Sequence, residues 1–241
     1  MFRLKKASAA LAVFLCSLSI HTANASVVMT GTRVIYPAQA QEKTVQLSNK
    51  NALPYMIQMW VDNKPDNNEP QKASAPFIAN PQIFRINPND GQMVRLIFTG
   101  NNLAKDRETL FYLSFLQIPA IKASEMQANK LLLSINSRMK LFYRPQQLAG
   151  NPDELSQSLS FKVKGNSIIA SNNSGYFATV RDAKILHAGK PLPLKQGVMI
   201  PPLSEVDWTL PSSTLASKGD TLRLTLVNDY GADVTSDLLL N

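Results

Sequence analysis

From residue 27 onward, apolar and polar residues alternate in short runs, and turn-forming residues break the runs at close intervals. A period of two is what a half-buried strand needs, because successive side chains leave opposite faces of the backbone. Seven runs precede residue 145: Val27–Tyr36, Lys43–Ser48, Tyr55–Val61, Ile83–Ile86, Met93–Phe98, Thr109–Ile118 and Lys130–Phe142. Asn49-Lys50-Asn51, Asp66-Asn67-Asn68, Asn87-Pro88-Asn89-Asp90-Gly91 and Gly100-Asn101-Asn102 separate them as turns. Seven short alternating strands over such a span predict an immunoglobulin-like sandwich.

The pattern then stops. Arg144 to Pro152 carries two prolines and a glycine and has no strand period, so it reads as a linker or corner. Strand-like runs resume at Leu159–Val163, Ser167–Ser171, Tyr176–Ala183, Lys184–Leu186, Gly197–Ile200, Glu205–Leu210 and Thr221–Asn228. The expectation is all-β: two sandwiches in tandem, residues 26–145 and 146–241. Helical periodicity is weak everywhere, with a turn or two expected only at Ala120–Ala128, and no internal repeat is evident.

The first 25 residues follow another rule. Arg3, Lys5 and Lys6 precede an apolar run from Ala9 to Ile20, and Ala23-Asn24-Ala25 supplies a small-x-small cleavage site. This is a secretory signal, expected to be cut after Ala25, and its apolar run falls short of the roughly 20 residues a spanning helix needs. A lipid anchor on Cys16 would want small residues before the cysteine, where Phe14-Leu15 stand. No second long apolar segment follows, so no membrane insertion is expected. Cys16 is the only cysteine, so the exported chain has no disulfide framework, thiolate metal site or cysteine nucleophile. Losing three signal cations takes the net charge from +8 to +5, with charges scattered rather than clustered, which argues against a nucleic-acid partner.

Catalytic patterns are missing. His187 is the one histidine outside the signal, sits beside a turn and reads as a surface residue. There is no H-E-x-x-H, no G-x-S-x-G and no phosphate-binding glycine loop. Paired carboxylates meeting only in space remain open as an alternative. Asn172-Asn173-Ser174 matches a glycosylation sequon at chance level, and no cofactor is implied.

One run stands apart. Lys130 to Tyr143 reads K-L-L-L-S-I-N-S-R-M-K-L-F-Y, putting Leu131, Leu133 and Ile135 on one face. Alternation alone points that row into the sandwich core. As an exposed edge it would be an aggregation hazard unless it templated a partner.

Several segments together resemble a family, the periplasmic pilus chaperones of the chaperone–usher pathway. Thr32-Arg33-Val34-Ile35-Tyr36-Pro37 resembles its first strand and Gln58-Met59-Trp60-Val61-Asp62 its tryptophan strand. Met93-Val94-Arg95-Leu96, Asp106 to Tyr112 and Ile118-Pro119-Ala120 follow. Lys140-Leu141-Phe142-Tyr143-Arg144-Pro145 resembles the end of the first domain's last strand, and Asn228-Asp229-Tyr230-Gly231-Ala232 a second-domain motif. The resemblance implies two immunoglobulin-like β-sandwich domains in a boomerang arrangement, with no catalysis. It implies a chaperone that lends a β-strand to pilus subunits lacking one, then passes them to an outer-membrane usher. Leu131, Leu133 and Ile135 are then the donors rather than core. Arg33 and Lys140 correspond to two cleft cations that anchor the subunit's C-terminal carboxylate; composition alone would leave both as ordinary surface charges. Arg95, Glu108 and Asp229 correspond to salt bridges between the domains. A free copy is expected to be able to self-associate through the exposed strand.

Departures from the family pattern are Ser114 for a usual Asn, Phe115 for a smaller aliphatic, and Asn172 to Tyr176 for a proline-containing turn. The short connection from Lys122 to Asn129 resembles the family's short-loop branch. Two other functions compete. A pilus subunit would carry a disulfide and an N-terminal donor extension. A carbohydrate-binding sandwich would expose clustered tryptophans, whereas Trp60 and Trp208 fall inside strand patterns and read as core.

Overall fold

The computed structural model describes residues 27–66, 69–121, 129, 131–187, 190–211 and 216–241. The signal segment with its cleavage point, most of the turn expected at Ala120–Ala128, and the connection at 122–128 therefore lie outside the described residues.

Among the described residues, nine strands precede the proline-rich break: β1 Val27–Met29, β2 Arg33–Pro37, β3 Lys43–Asn49, β4 Tyr55–Asp62, β5 Phe77–Asn80, β6 Ile83–Ile86, β7 Gly91–Phe98, β8 Thr109–Pro119 and β9 Ile135–Arg144. They form two sheets, in the orders β1-β3-β7-β5 and β2-β9-β8-β4-β6. Inward residues such as Leu47, Ile57, Met59, Val94, Leu96, Leu113 and Leu141 interdigitate as one buried core. Seven described strands follow: β10 Leu159–Lys164, β11 Ser167–Asn172, β12 Ala178–His187, β13 Lys190–Ile200, β14 Ser204–Thr209, β15 Thr221–Val227 and β16 Asp233–Leu239. Their sheets run β10-β11-β14 and β13-β12-β15-β16, around a second core that includes Ile168, Val180, Ile185, Trp208, Leu222 and Leu224. The chain is all-β and folds as two immunoglobulin-like sandwiches.

Several expected elements are redrawn. The single run Val27–Tyr36 is two strands, broken at Gly31, whose φ of 87° suits a residue without a Cβ. β1 pairs with β3 in one sheet, and β2 pairs in parallel with β9 in the other, so the chain crosses the sandwich at this point. Tyr176–Ala183 and Lys184–Leu186 are one strand, β12; the apparent join is a register shift between Ala183 and Lys184. β13 extends far ahead of Gly197, through Pro191 and Pro193, which an edge strand tolerates because one side needs no N–H donor. β5, four residues between Pro76 and Pro81, and the half-polar β16 had no sequence signal strong enough to find them.

The run Lys130–Phe142 also changes. Regular pairing begins only at Ile135, and Leu131 to Ser134 precede the ladder without strand structure. Trp208 lies in the second core. Trp60 is buried too, but on the face of β4 opposite Ile57, Met59 and Val61, outside the first core cluster. His187 is half-buried and meets the Asp220 carboxylate at 3.1 Å.

Candidate functional site

β9 is the strand around which the site is built. Its odd residues Met139, Leu141 and Tyr143 pack into the first core. Its even residues, Lys140, Phe142 and Arg144, therefore leave by the other face. The parallel register sets Arg33 beside Lys140, Ile35 beside Phe142 and Pro37 beside Arg144. Phe142 meets Phe177 of the second domain with ring centroids 5.7 Å apart, so this face is the one turned to that domain.

Arg144 links the two domains. Its Nε donates to Glu108 Oε1 at 2.7 Å, and Nη1 and Nη2 donate to Asp229 Oδ2 and Oδ1 at 2.6 and 2.8 Å. The guanidinium lies over the Tyr176 ring, 5.1 Å from its centroid. Glu108 is buried, and its second oxygen accepts from the Phe177 backbone N–H at 2.8 Å. Burial raises the Glu108 pKa despite Arg144, while the two carboxylates raise that of Arg144. Asp229 is held in a turn where the Asn228 side chain accepts from the N–H groups of Tyr230 and Ala232. The turn closes on Gly231, φ 85°, where an added Cβ would lie 2.3 Å from Thr32 Oγ1 of the first domain. Of the expected network, Glu108 and Asp229 meet here, but Arg95 does not. It faces Glu42 at 3.4 Å on the exposed outer side of the other sheet, and Arg144 occupies the role assigned to it. Arg144 had a sequence signal: it follows Lys140 by four residues and so shares its face.

Arg33 and Lys140 stand side by side next to this junction, both half-buried. Arg33 Nη1 donates to Val227 O at 2.9 Å and to Thr179 Oγ1 at 3.4 Å, and the guanidinium stacks on Phe142 at 5.7 Å. Its Nε is buried without a partner. Lys140 has no hydrogen bond and no carboxylate at ion-pairing distance among the described residues. Burial lowers both pKa values, and Arg33 lowers that of Lys140 further by repulsion. Two adjacent, partly desolvated cations without a contacting carboxylate could hold an anion, by elementary electrostatics.

Upstream of Lys140, β9 has an open edge among the described residues. β8 pairs with Ile135–Met139 on one side, but β2 accompanies only Lys140–Arg144 on the other. Beyond Ile135 the chain runs on, with Leu131 85% exposed, Leu133 67% and Ile135 47%. None of the three belongs to either core, so the location predicted by alternation alone is not the one they take. Ser114 is buried on β8 and accepts from Arg138 Nε at 3.0 Å, while Phe115 fills the first core. The Asn172 amide is buried and donates to Tyr176 O, Ile200 O and Pro201 O, which removes the sequon from solvent and fixes the turn. No cluster of metal-ligating side chains occurs among the described residues.

Comparison with known proteins places this arrangement. Residues 26–149 match the family described as pili and flagellar-assembly chaperone, PapD N-terminal domain, and residues 154–238 match pili assembly chaperone PapD, C-terminal domain. The chain is 38% identical to the chaperone protein MrkB of Klebsiella pneumoniae, over 93% of this chain and 96% of that protein. It is 36% identical to the chaperone protein HifB of Haemophilus influenzae, over 93% and 91%. Among solved structures, the YadV chaperone of Escherichia coli superposes with a TM-score of 0.76 at 29% identity, over 90% of this chain and all of that one. The SafB chaperone, in complex with the SafA pilin of Salmonella enterica, gives 0.74 at 26% identity, over 91% and 99%.

Proposed function

This chain belongs to the pili assembly chaperones, and on that premise we propose that it works in the periplasm, after cleavage behind Ala25, as a non-catalytic chaperone that holds pilus subunits by lending them a strand. The observation that carries the reading is the apolar edge of β9, open among the described residues, leading directly to two adjacent cations, Arg33 and Lys140, that no described carboxylate contacts. Leu131, Leu133 and Ile135 fill the groove of an incomplete subunit sandwich. Each would contribute about 1.5–3 kcal/mol on burial.

The geometry also gives the direction of the added strand. β2 runs parallel to β9 and begins at Arg33. A subunit strand lying along Ile135–Met139 and ending in a carboxylate at Arg33 and Lys140 must continue the line of β2, and so runs parallel to β9. The anchored end then sets the register, so that alternate donor residues meet alternate holes. Arg144, Glu108 and Asp229 hold the second domain against this platform. Loaded chaperone passes its subunit to an outer-membrane usher, and a free copy covers its apolar edge by pairing with another. The short-loop resemblance at 122–129 is carried by sequence alone.

Co-purification tests this. Tagged wild type expressed with a pilus subunit should retain it at a ratio of about 1:1, and Arg33→Ala or Lys140→Ala should lose it by more than about tenfold while staying folded. Normal retention by both variants would remove the anchor.

A further inference from the structure

The anion site has a wall on its second-domain side, and that wall carries a cation of its own. Arg33 reaches across to Thr179 on β12 and to Val227 O at the end of β15. Two residues beyond Thr179, β12 has a bulge: Val180 pairs with Leu226 and Asp182 with Thr225, leaving Arg181 without a partner on β15. A bulge shifts the alternation and re-aims side chains. Before it Ala178 and Val180 face the core, after it Ala183 and Ile185 do, and Arg181 is exposed while Thr179, on the face opposite Val180, is buried. There its guanidinium pairs with Asp233, whose register partner on β15 is the same Val227 that Arg33 contacts.

We propose, building on the anchor reading above, that Arg181 is a third cation of the carboxylate site, supplied by the second domain and restrained by Asp233. A chain-terminal carboxylate resting on Arg33 and Lys140 then faces Arg181, which shares itself between that carboxylate and Asp233. Capture is thereby read by both domains at once, and a subunit end that sits on the first domain alone is held less tightly. Arg181 is one of the charges that push the Arg33 pKa down, which places it within electrostatic reach of the site. Both Arg181 and Asp233 are about half exposed, so exchanging partners requires no rearrangement of the core.

The two members of the pair therefore have opposite expected signs. Removing Arg181 deletes a cation facing the ligand; removing the charge of Asp233 deletes a competing anion and releases Arg181. The probe is an acetylated synthetic peptide of alternating valine and threonine, made once with a free C-terminal carboxylate and once as the amide. The readout is the ratio of the two Kd values. Arg181→Gln should reduce the preference for the carboxylate about two- to fivefold, Asp233→Asn should raise it by a similar factor, and the double variant should behave as Arg181→Gln. Equal weakening by both single variants would make the pair a clamp within the second domain and overturn the proposal, as would no change in either. Lys140→Ala separates the two ideas: if it abolishes the preference while the Arg181 and Asp233 variants leave it unchanged, the first-domain anchor stands and only the third cation falls. If wild type shows no preference and Lys140→Ala matches it, both fall.

Discussion

Lys140 is charged where charge is costly. It is half-buried, lies beside Arg33 and has no contacting carboxylate among the described residues, so its pKa is lowered by burial first and by Arg33 second. A depressed pKa in a base means that the folded protein disfavours its protonated form. An arriving carboxylate reverses this and raises the pKa, so capture takes up protons near the lowered value. Affinity is therefore full below the free-state pKa of Lys140 and falls as the pH rises from there to the pKa of the complex. Titrating subunit binding upward in pH toward the ordinary lysine range should show this decline, and Lys140→Arg, which stays charged throughout, should flatten it. An equally steep decline in Lys140→Arg would assign the titration elsewhere. Lys140→Met should lose capture while its Tm stays level or rises, because an uncompensated cation has been removed.

At the scale of elements, β9 does two jobs along one strand. From Met139 onward its odd residues build the first core, whereas Ile135 and the unpaired stretch before it stay exposed. The period of two is unbroken across both parts, so the sequence alone could not say where core ends and open edge begins. Substitution separates them. Leu133→Glu should leave stability within about 0.5 kcal/mol and weaken capture at least about tenfold. Leu141→Ala, deleting a fully buried side chain, should cost about 2–5 kcal/mol. Urea denaturation and co-purification read the two effects. A large stability loss in Leu133→Glu would return that residue to the core. The edge strand β13 has protection that the donor edge lacks: it carries Pro191, Pro193 and a positive-φ Gly197, whereas no proline occurs between Asn129 and Arg144.

For the whole molecule, the junction depends on Arg144. Exposed ion pairs contribute little to stability, but Glu108 is buried and would keep a charge without its cation. Arg144→Met should cost about 3–5 kcal/mol and split thermal unfolding into two transitions, one per domain, in calorimetry. Arg95→Met should stay within about 0.5 kcal/mol, since its partner Glu42 is exposed with it. The sign with pH follows from Glu108. A carboxyl whose folded pKa is raised costs stability once ionised, so the deficit of Arg144→Met should shrink as the pH falls through that raised pKa. A deficit that grows on acidification would contradict this account of the junction.

The order of polar and apolar residues determined what depends on local periodicity and turn chemistry. That covers the all-β class, the break after Arg144, most strands, and the parity that puts Lys140 and Arg144 together while separating them from Leu141. The motifs around Arg33, Lys140 and Asp229 marked the family. Tertiary structure decided what depends on pairing between distant segments. Only the β2–β9 register sets Arg33 beside Lys140, because it joins residues more than a hundred positions apart. Only the domain contact distinguishes Arg144 from Arg95, since an arginine's partner is set by position in space and both were equally charged in sequence. The bulge at Arg181 depends in the same way on how β12 meets β15. Alternation tells a side chain which face it leaves by, but what stands on that face is decided by the rest of the chain.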